Sequence, residues 1–175
     1  SKIEDFKANP LYENFYHGVQ RLAPRSIYPL LNMMQGVVDG GTGKVVRKMG
    51  FKHPAAGKTG TTNNFKDAWF NGFTKTFSTS VWVGHDKNTP MVDRAGRGLT
   101  GSRAAAPIWV FYMQKALQGR NRIKFTIPEG IKFEKVDVNS GTLVDDQSVE
   151  SMNVALKEEV VIPVRAFESN ATTTN

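Results

Sequence analysis

The chain has 175 residues, 39% hydrophobic and 22% charged, which describes one ordinary globular unit with a sizeable core and a small appendage. It has no cysteine, which excludes disulfides and thiolate metal sites, and its three histidines, His17, His53 and His85, lack metal-ligand spacing, so no metal or cofactor is expected. The net charge of +7 is uneven: residues 1–130 carry 19 basic against 8 acidic residues and residues 131–175 carry 4 against 8, which suggests a boundary near Pro128-Glu129-Gly130.

Residues 1–25 contain Pro10 and Pro24 and read as short strand or loop pieces. The N-terminus, Ser1-Lys2-Ile3-Glu4, has neither an initiator methionine nor a leader and reads as an internal cut from a longer chain. Ser26 has the chemistry of an N-cap. Ile27, Leu30, Leu31, Met34, Val37 and Val38 then follow at helical spacing, and Gly40-Gly41 should stop the helix. Lys44–Met49 reads as a short extended piece. Ala55–Thr61 reads as a strand, and Asp67–Lys75 with Phe77–Gly84 as a hairpin of aromatic and β-branched residues.

Thr89–Gly101 is loop, with Pro90, Gly96, Gly98 and Gly101. Ser102 is the expected cap of a second helix running to about Leu117. Its expected buried side is Ala105, Ile108, Trp109, Tyr112, Met113 and Leu117, and Pro107 makes the first turn irregular. The longest apolar run, Ala104–Met113, is too short to span a bilayer. Ile131–Val138 should pair with Thr142-Leu143-Val144 across an Asn139-Ser140-Gly141 turn. The expected division is 1–127, a β extension at 128–168, and a polar tail at 169–175; the tail's Asn170-Ala171-Thr172 sequon is read as chance.

Ala55-Ala56-Gly57-Lys58-Thr59-Gly60-Thr61-Thr62 carries the chemistry. A cation, three hydroxyls and flexible glycines in one run suit an anion-holding segment. Phosphate fits poorly. Gly57-Lys58-Thr59 ends like a P-loop, but the motif's first glycine falls on Lys52 and a hairpin, not a helix, follows. Gly43-Lys44 fails too, because Val45 stands where Ser or Thr must bind metal. Nucleic acid is disfavoured as well: Arg94, Arg97, Arg103, Arg120, Arg122 and Lys124 accompany no recognition motif.

Lys-Thr-Gly is one of three motifs shared by serine β-lactamases and penicillin-binding proteins, beside S-x-x-K and S-D-N. The block Pro54 to Thr74, containing Asn63-Asn64-Phe65-Lys66-Asp67-Ala68-Trp69-Phe70-Asn71-Gly72-Phe73, closely resembles class A penicillin-binding proteins. So do Asn32-Met33-Met34, Gly41-Thr42-Gly43, Val81-Trp82-Val83-Gly84-His85-Asp86 and Ala104-Ala105-Ala106-Pro107-Ile108-Trp109. The resemblance spans about residues 21–118 and extends loosely over 128–165. It implies an α+β fold, an antiparallel sheet packed by helices, forming the C-terminal part of a D,D-transpeptidase domain, plus a small C-terminal β segment.

The resemblance further implies an acyl-serine enzyme that cross-links peptidoglycan stem peptides and is acylated by β-lactams. Lys58, Thr59, Gly60 and Thr61 would form the substrate-binding strand. Lys58 would supply charge near the substrate carboxylate, the Thr59 and Thr61 hydroxyls would bond it, and the Thr61 N–H would be an oxyanion donor. Asp67 would orient the following loop and Trp69 would pack under the sheet. The parent protein would be anchored in the bacterial cytoplasmic membrane with this domain on the periplasmic side. One departure is serious. No S-x-x-K occurs in the 175 residues, and Ser151-Met152-Asn153 follows Lys-Thr-Gly in the wrong order. The nucleophilic serine is absent, so the chain alone is expected to be inactive, and β-lactams would bind covalently only with an upstream half. Exposed sheet edges would allow a homodimer. The rival reading is a non-catalytic C-terminal module that docks cell-wall polymer or a protein partner.

Overall fold

A computed structural model describes residues 2–13, 19–144 and 150–164. The tail at 169–175 and its sequon lie outside the described residues. Two short strands, β1 (Lys2–Glu4) and β2 (Pro10–Glu13), pair antiparallel at the start. Helix α1 spans Pro24–Asp39 and begins two residues before the expected Ser26 cap. Pro24 sits in the first turn, where its missing N–H is not needed and its fixed φ favours the helix. The helix ends where expected, with the Gly40 and Gly41 amides both returning to the Gly36 carbonyl.

Lys44–Met49 is not extended. Val45–Lys48 forms a one-turn helix, α2, because Val46 plugs into the core while Arg47 ties the next segment down. The Arg47 guanidinium donates to Asp39 Oδ1 at 2.7 Å and to the Phe51 and His53 carbonyls at 2.8 Å each. Short apolar runs do not themselves distinguish helix from strand, and tertiary contacts decide here.

The central sheet is an antiparallel meander of β3 (Ala56–Thr61), β4 (Asp67–Phe73) and β5 (Ser78–Gly84), with β4 in the middle. Lys58 faces Asn71, Gly60 faces Trp69, and Trp69 faces Trp82 across the two ladders. Alternation gives the sheet two faces. Ala68, Phe70 and Gly72 are buried on one of them, which the helices cover. Trp69 does not pack under the sheet as expected. It lies 39% exposed on the other face, its ring centre 6.3 Å from that of Trp82, and Phe70 takes the buried position.

A five-residue π turn, Gly101–Ala105, leads into α3 (Ala106–Ala116). The expected Ser102 cap is not formed; the Ala106 amide reaches back five residues to the Gly101 carbonyl, and Pro107 follows in the first α turn. The buried side of α3 is Ala106, Trp109, Val110 and Met113, whereas Ile108 and Tyr112 face solvent. Trp109 is the keystone. Its ring is fully buried between Phe51 and Phe70, and its Nε1–H is shared between the Gly72 and Thr79 carbonyls at 3.2 Å each.

The expected C-terminal pairing forms over a short stretch, and a second, longer one accompanies it. Strand β6 (Ile131–Asp137) pairs over seven residues with β7 (Ser151–Lys157), and on its other edge Leu143 bridges Val136, with the Asp137 amide on the Thr142 carbonyl at 3.0 Å and the Val144 amide on the Lys135 carbonyl at 3.1 Å. The expected turn does form: Asp137 Oδ1 accepts the Asn139 and Ser140 amides, and Gly141 has φ +70°. The pairing after this turn is short, and β7 adds a longer ladder on the opposite edge of β6. This hairpin docks on α1 through the Asn32 side chain, which accepts the Ala155 amide at 3.0 Å, and a Tyr28–Phe133 edge contact. Ser151-Met152-Asn153 opens β7, paired with Asp137, Val136 and Lys135. Among the described residues no helix is long and apolar enough to cross a membrane.

Candidate functional site

Within the described sheet, β3 is an edge strand. The Thr62 amide donates to the Asp67 carbonyl at 3.1 Å, so alternation along the ladder turns the Thr59 and Thr61 N–H groups away from β4, toward the free edge. The Thr59 carbonyl points the same way. Lys58 has its Cβ on the opposite face, yet its ammonium wraps round to donate to that carbonyl at 2.8 Å. Thus a cation and two backbone donors share one edge.

The two threonine side chains lie on the helix-covered face and are fixed by segments distant in sequence. Thr59 Oγ1 lies 2.8 Å from Thr42 Oγ1, in the turn between α1 and α2. Thr61 Oγ1 accepts the Gly101 amide at 3.1 Å. A hydroxyl that accepts an N–H keeps its own proton to donate. Gly101 can approach this closely only because it lacks a side chain: a Cβ there would collide with the Trp69 and Gly60 carbonyl oxygens.

Asp67 closes the strand's far end. Its amide donates to Thr62 Oγ1 at 2.8 Å, its Oδ2 accepts the Thr62 hydroxyl at 3.1 Å, and its Oδ1 accepts Trp82 Nε1–H at 2.9 Å. Beyond lies a small loop hairpin, Met91–Leu99, bridged between Val92 and Gly98 and tied to Phe65 by the Met91 amide. A cleft of about 700 Å³ opens beside Thr42, between the α1–α2 turn and the π turn, with Lys44, Lys48 and Arg103 on its walls.

Several cations read from the sequence as a surface patch are engaged within the fold. Arg97 and Arg103 both pair with Asp93, and Arg120 lies over the Phe77 ring at 5.3 Å. A lysine–hydroxyl bond of the kind that activates a nucleophile does occur, Lys75 Nζ to Thr126 Oγ1 at 2.8 Å. It sits at the β4–β5 turn, at the opposite end of β3 from Thr61, roughly 20 Å away at the rise of a six-residue strand. Among the described residues, that edge thus carries a cation and two backbone donors, and the lysine–hydroxyl pair lies away from it.

The structure brings Lys58, Thr59, Gly60 and Thr61 together as one strand and adds two partners the sequence left without a role, Thr42 and Gly101. The Gly41-Thr42-Gly43 triplet was the one available signal for the first. Nothing in the sequence marked the second.

No family model matches the chain. Penicillin-binding protein 1A of Neisseria cinerea is 37% identical over 138 residues, 74% of this chain and 17% of that protein. The Neisseria gonorrhoeae protein of the same name is 42% identical over 138 residues with the same coverage. The chain therefore spans about a sixth of the length of these relatives. Among solved structures, penicillin-binding protein 1A from Haemophilus influenzae superposes with a TM-score of 0.65 at 26% identity, covering 83% of this chain and 22% of that one. PonA1 of Mycobacterium tuberculosis, a penicillin-binding protein, gives a TM-score of 0.62 at 29% identity, covering 73% and 34%.

Proposed function

We propose, for a chain that belongs to the class A penicillin-binding proteins and forms the C-terminal part of their transpeptidase domain, that β3 is the strand that grips the substrate's terminal carboxylate. The substrate is a D-Ala-D-Ala stem peptide of peptidoglycan, and β-lactams occupy the same place. The observation that carries this reading is the shared free edge: the Lys58 ammonium and the Thr59 and Thr61 N–H groups, with both threonine hydroxyls held beside them.

The chemistry follows from that arrangement. A carboxylate draws on the Lys58 charge and on hydroxyl donors, and charge-assisted hydrogen bonds are the strong kind. Thr61 O–H is oriented to donate because Gly101 already occupies a lone pair. The Thr61 N–H, facing the edge, stabilises the oxyanion that forms when a serine attacks the scissile carbonyl. The serine and its base lysine come from residues outside these 175, since no S-x-x-K lies within them. The acyl-enzyme then passes to an amine of a neighbouring strand. In the whole protein this domain works on the outer face of the cytoplasmic membrane, to which the protein is anchored.

A fluorescent penicillin tests the assignment. The full-length protein should take up one label per molecule in a denaturation-resistant, serine-linked adduct, and these 175 residues alone should take up none. A stoichiometric adduct on the short chain would overturn the placement of the nucleophile. Absence of label on the full-length protein would favour the non-catalytic binding module.

A further inference from the structure

We infer that Asp93 is a positioning residue for the Thr61 hydroxyl, acting through Arg103 and the Gly101 amide; this rests on the carboxylate reading of β3. Asp93 is the hub of the Met91–Leu99 hairpin. Its Oδ1 accepts the Ala95 and Arg97 amides at 2.9 Å each, and its Oδ2 accepts Arg97 Nε at 2.9 Å and Arg103 Nη2 at 2.5 Å. The other arm of the Arg103 fork donates to the Gly98 carbonyl at 3.0 Å. Arg103 is thus held at two points by one small hairpin, the geometry that a planar guanidinium serves and a lysine cannot.

Arg103 also lies in the π turn, two residues beyond Gly101, and its own amide bonds to the Thr100 carbonyl. Fixing Arg103 therefore fixes the turn whose first residue donates to Thr61 Oγ1. The hairpin is anchored on the strand's other flank as well. Gly98 packs flat on the Phe65 ring, where any Cβ would collide, and the Met91 amide bonds to the Phe65 carbonyl. Phe65 stands four residues past Thr61, so the clamp grips β3's exit from both sides. The Arg97 amide first, and Arg103 next, hold the Asp93 carboxyl well below the usual carboxylate range, so the hub stays ionised at neutral pH.

The test uses the full-length enzyme with Asp93→Ala and Asp93→Asn, assayed with benzylpenicillin and with its methyl ester, which lacks the free carboxylate. Asp93→Ala should slow acylation by the free acid roughly tenfold, since small displacements of a binding group cost one to two orders of magnitude. Acylation by the ester should change less than about twofold, because no carboxylate meets Thr61. Asp93→Asn retains an oxygen for the Ala95 and Arg97 amides but loses the charge facing Arg103, and its loss should fall between. An equal loss on acid and ester, as from general loosening, would overturn the inference, and so would no loss on either.

Hydrogen exchange judges the linkage separately. In Asp93→Ala, amides of residues 97–104 should exchange roughly tenfold faster while those of β4 and β5 keep their protection; unchanged exchange at 97–104 overturns the proposed connection. If the unaltered enzyme reacted equally well with acid and ester, the carboxylate reading of β3 would fail, and the exchange result would still decide whether Asp93 controls Gly101.

Discussion

Replacing Lys58 with alanine in the full-length enzyme should slow acylation by penicillin roughly 100-fold while leaving the fold intact. The rate should fall because the substrate carboxylate would lose its charged partner, and hydrogen bonds to charged groups are worth about 1.5–3 kcal/mol. Stability should hardly change, by less than about 0.5 kcal/mol, because Lys58 is exposed and its bond to the Thr59 carbonyl can be replaced by water. Stopped-flow acylation and a thermal melt on the same preparation separate the two effects. Lys58→Arg should recover part of the rate, since charge survives but the fork is a poorer fit than a compact ammonium. An unaltered acylation rate in Lys58→Ala would remove Lys58 from the site.

Trp109→Ala should produce the opposite pattern, a loss of about 3–5 kcal/mol of stability with inactivity following from unfolding. The ring is fully buried, wedged between Phe51 and Phe70, and its N–H serves carbonyls on two strands. Removing it leaves a cavity under the centre of the sheet and strips a donor from the Gly72 and Thr79 carbonyls. Tyr112→Ala, on the solvent side of the same helix, should cost far less. Urea unfolding followed by a probe in the transpeptidase domain distinguishes them, and equal losses would deny Trp109 its central role.

The contrast between Trp109 and Tyr112 shows what the sequence carried. Spacing placed a helix over this stretch and marked Pro107 as a disturbance, but it could not set which row of side chains faces inward. That choice depends on how α3 rotates once the π turn has added its extra residue. The same holds in β4, where aromatic residues occur on both parities. Phe70 is inside and Trp69 outside because Trp109 and the helices occupy only one face.

The meander and the end of α1 were legible because their signals are local: alternation, glycines and turn residues. α2 was not, since its four residues follow Val46 into the core and Arg47 to distant carbonyls. At the C-terminus the local hairpin was legible and the remote strand was not. The turn after β6 predicted pairing with its immediate neighbour, which forms, while the longer ladder to β7 on the other edge of β6 joins segments with no local signal between them.

The site divides in the same way. Lys58, Thr59, Gly60 and Thr61 stand together in the chain and could be read directly. Thr42 and Gly101 lie 17 and 40 residues from the threonines they meet, and only the fold joins them. The Asp93 clamp is further removed still, reaching Thr61 through Arg103 and a backbone amide. Sequence alone therefore marked the β3 residues on which the proposed function rests and missed the distant groups that bond to them.

A crystal structure of the full-length enzyme acylated by penicillin tests the central claim most directly. It should place the ligand's carboxylate within about 3 Å of the Thr59 and Thr61 hydroxyls. The Lys58 ammonium should be beside it, and the acyl oxygen should rest on the Thr61 N–H. A carboxylate bound away from β3, with the acyl oxygen held by other donors, would contradict it.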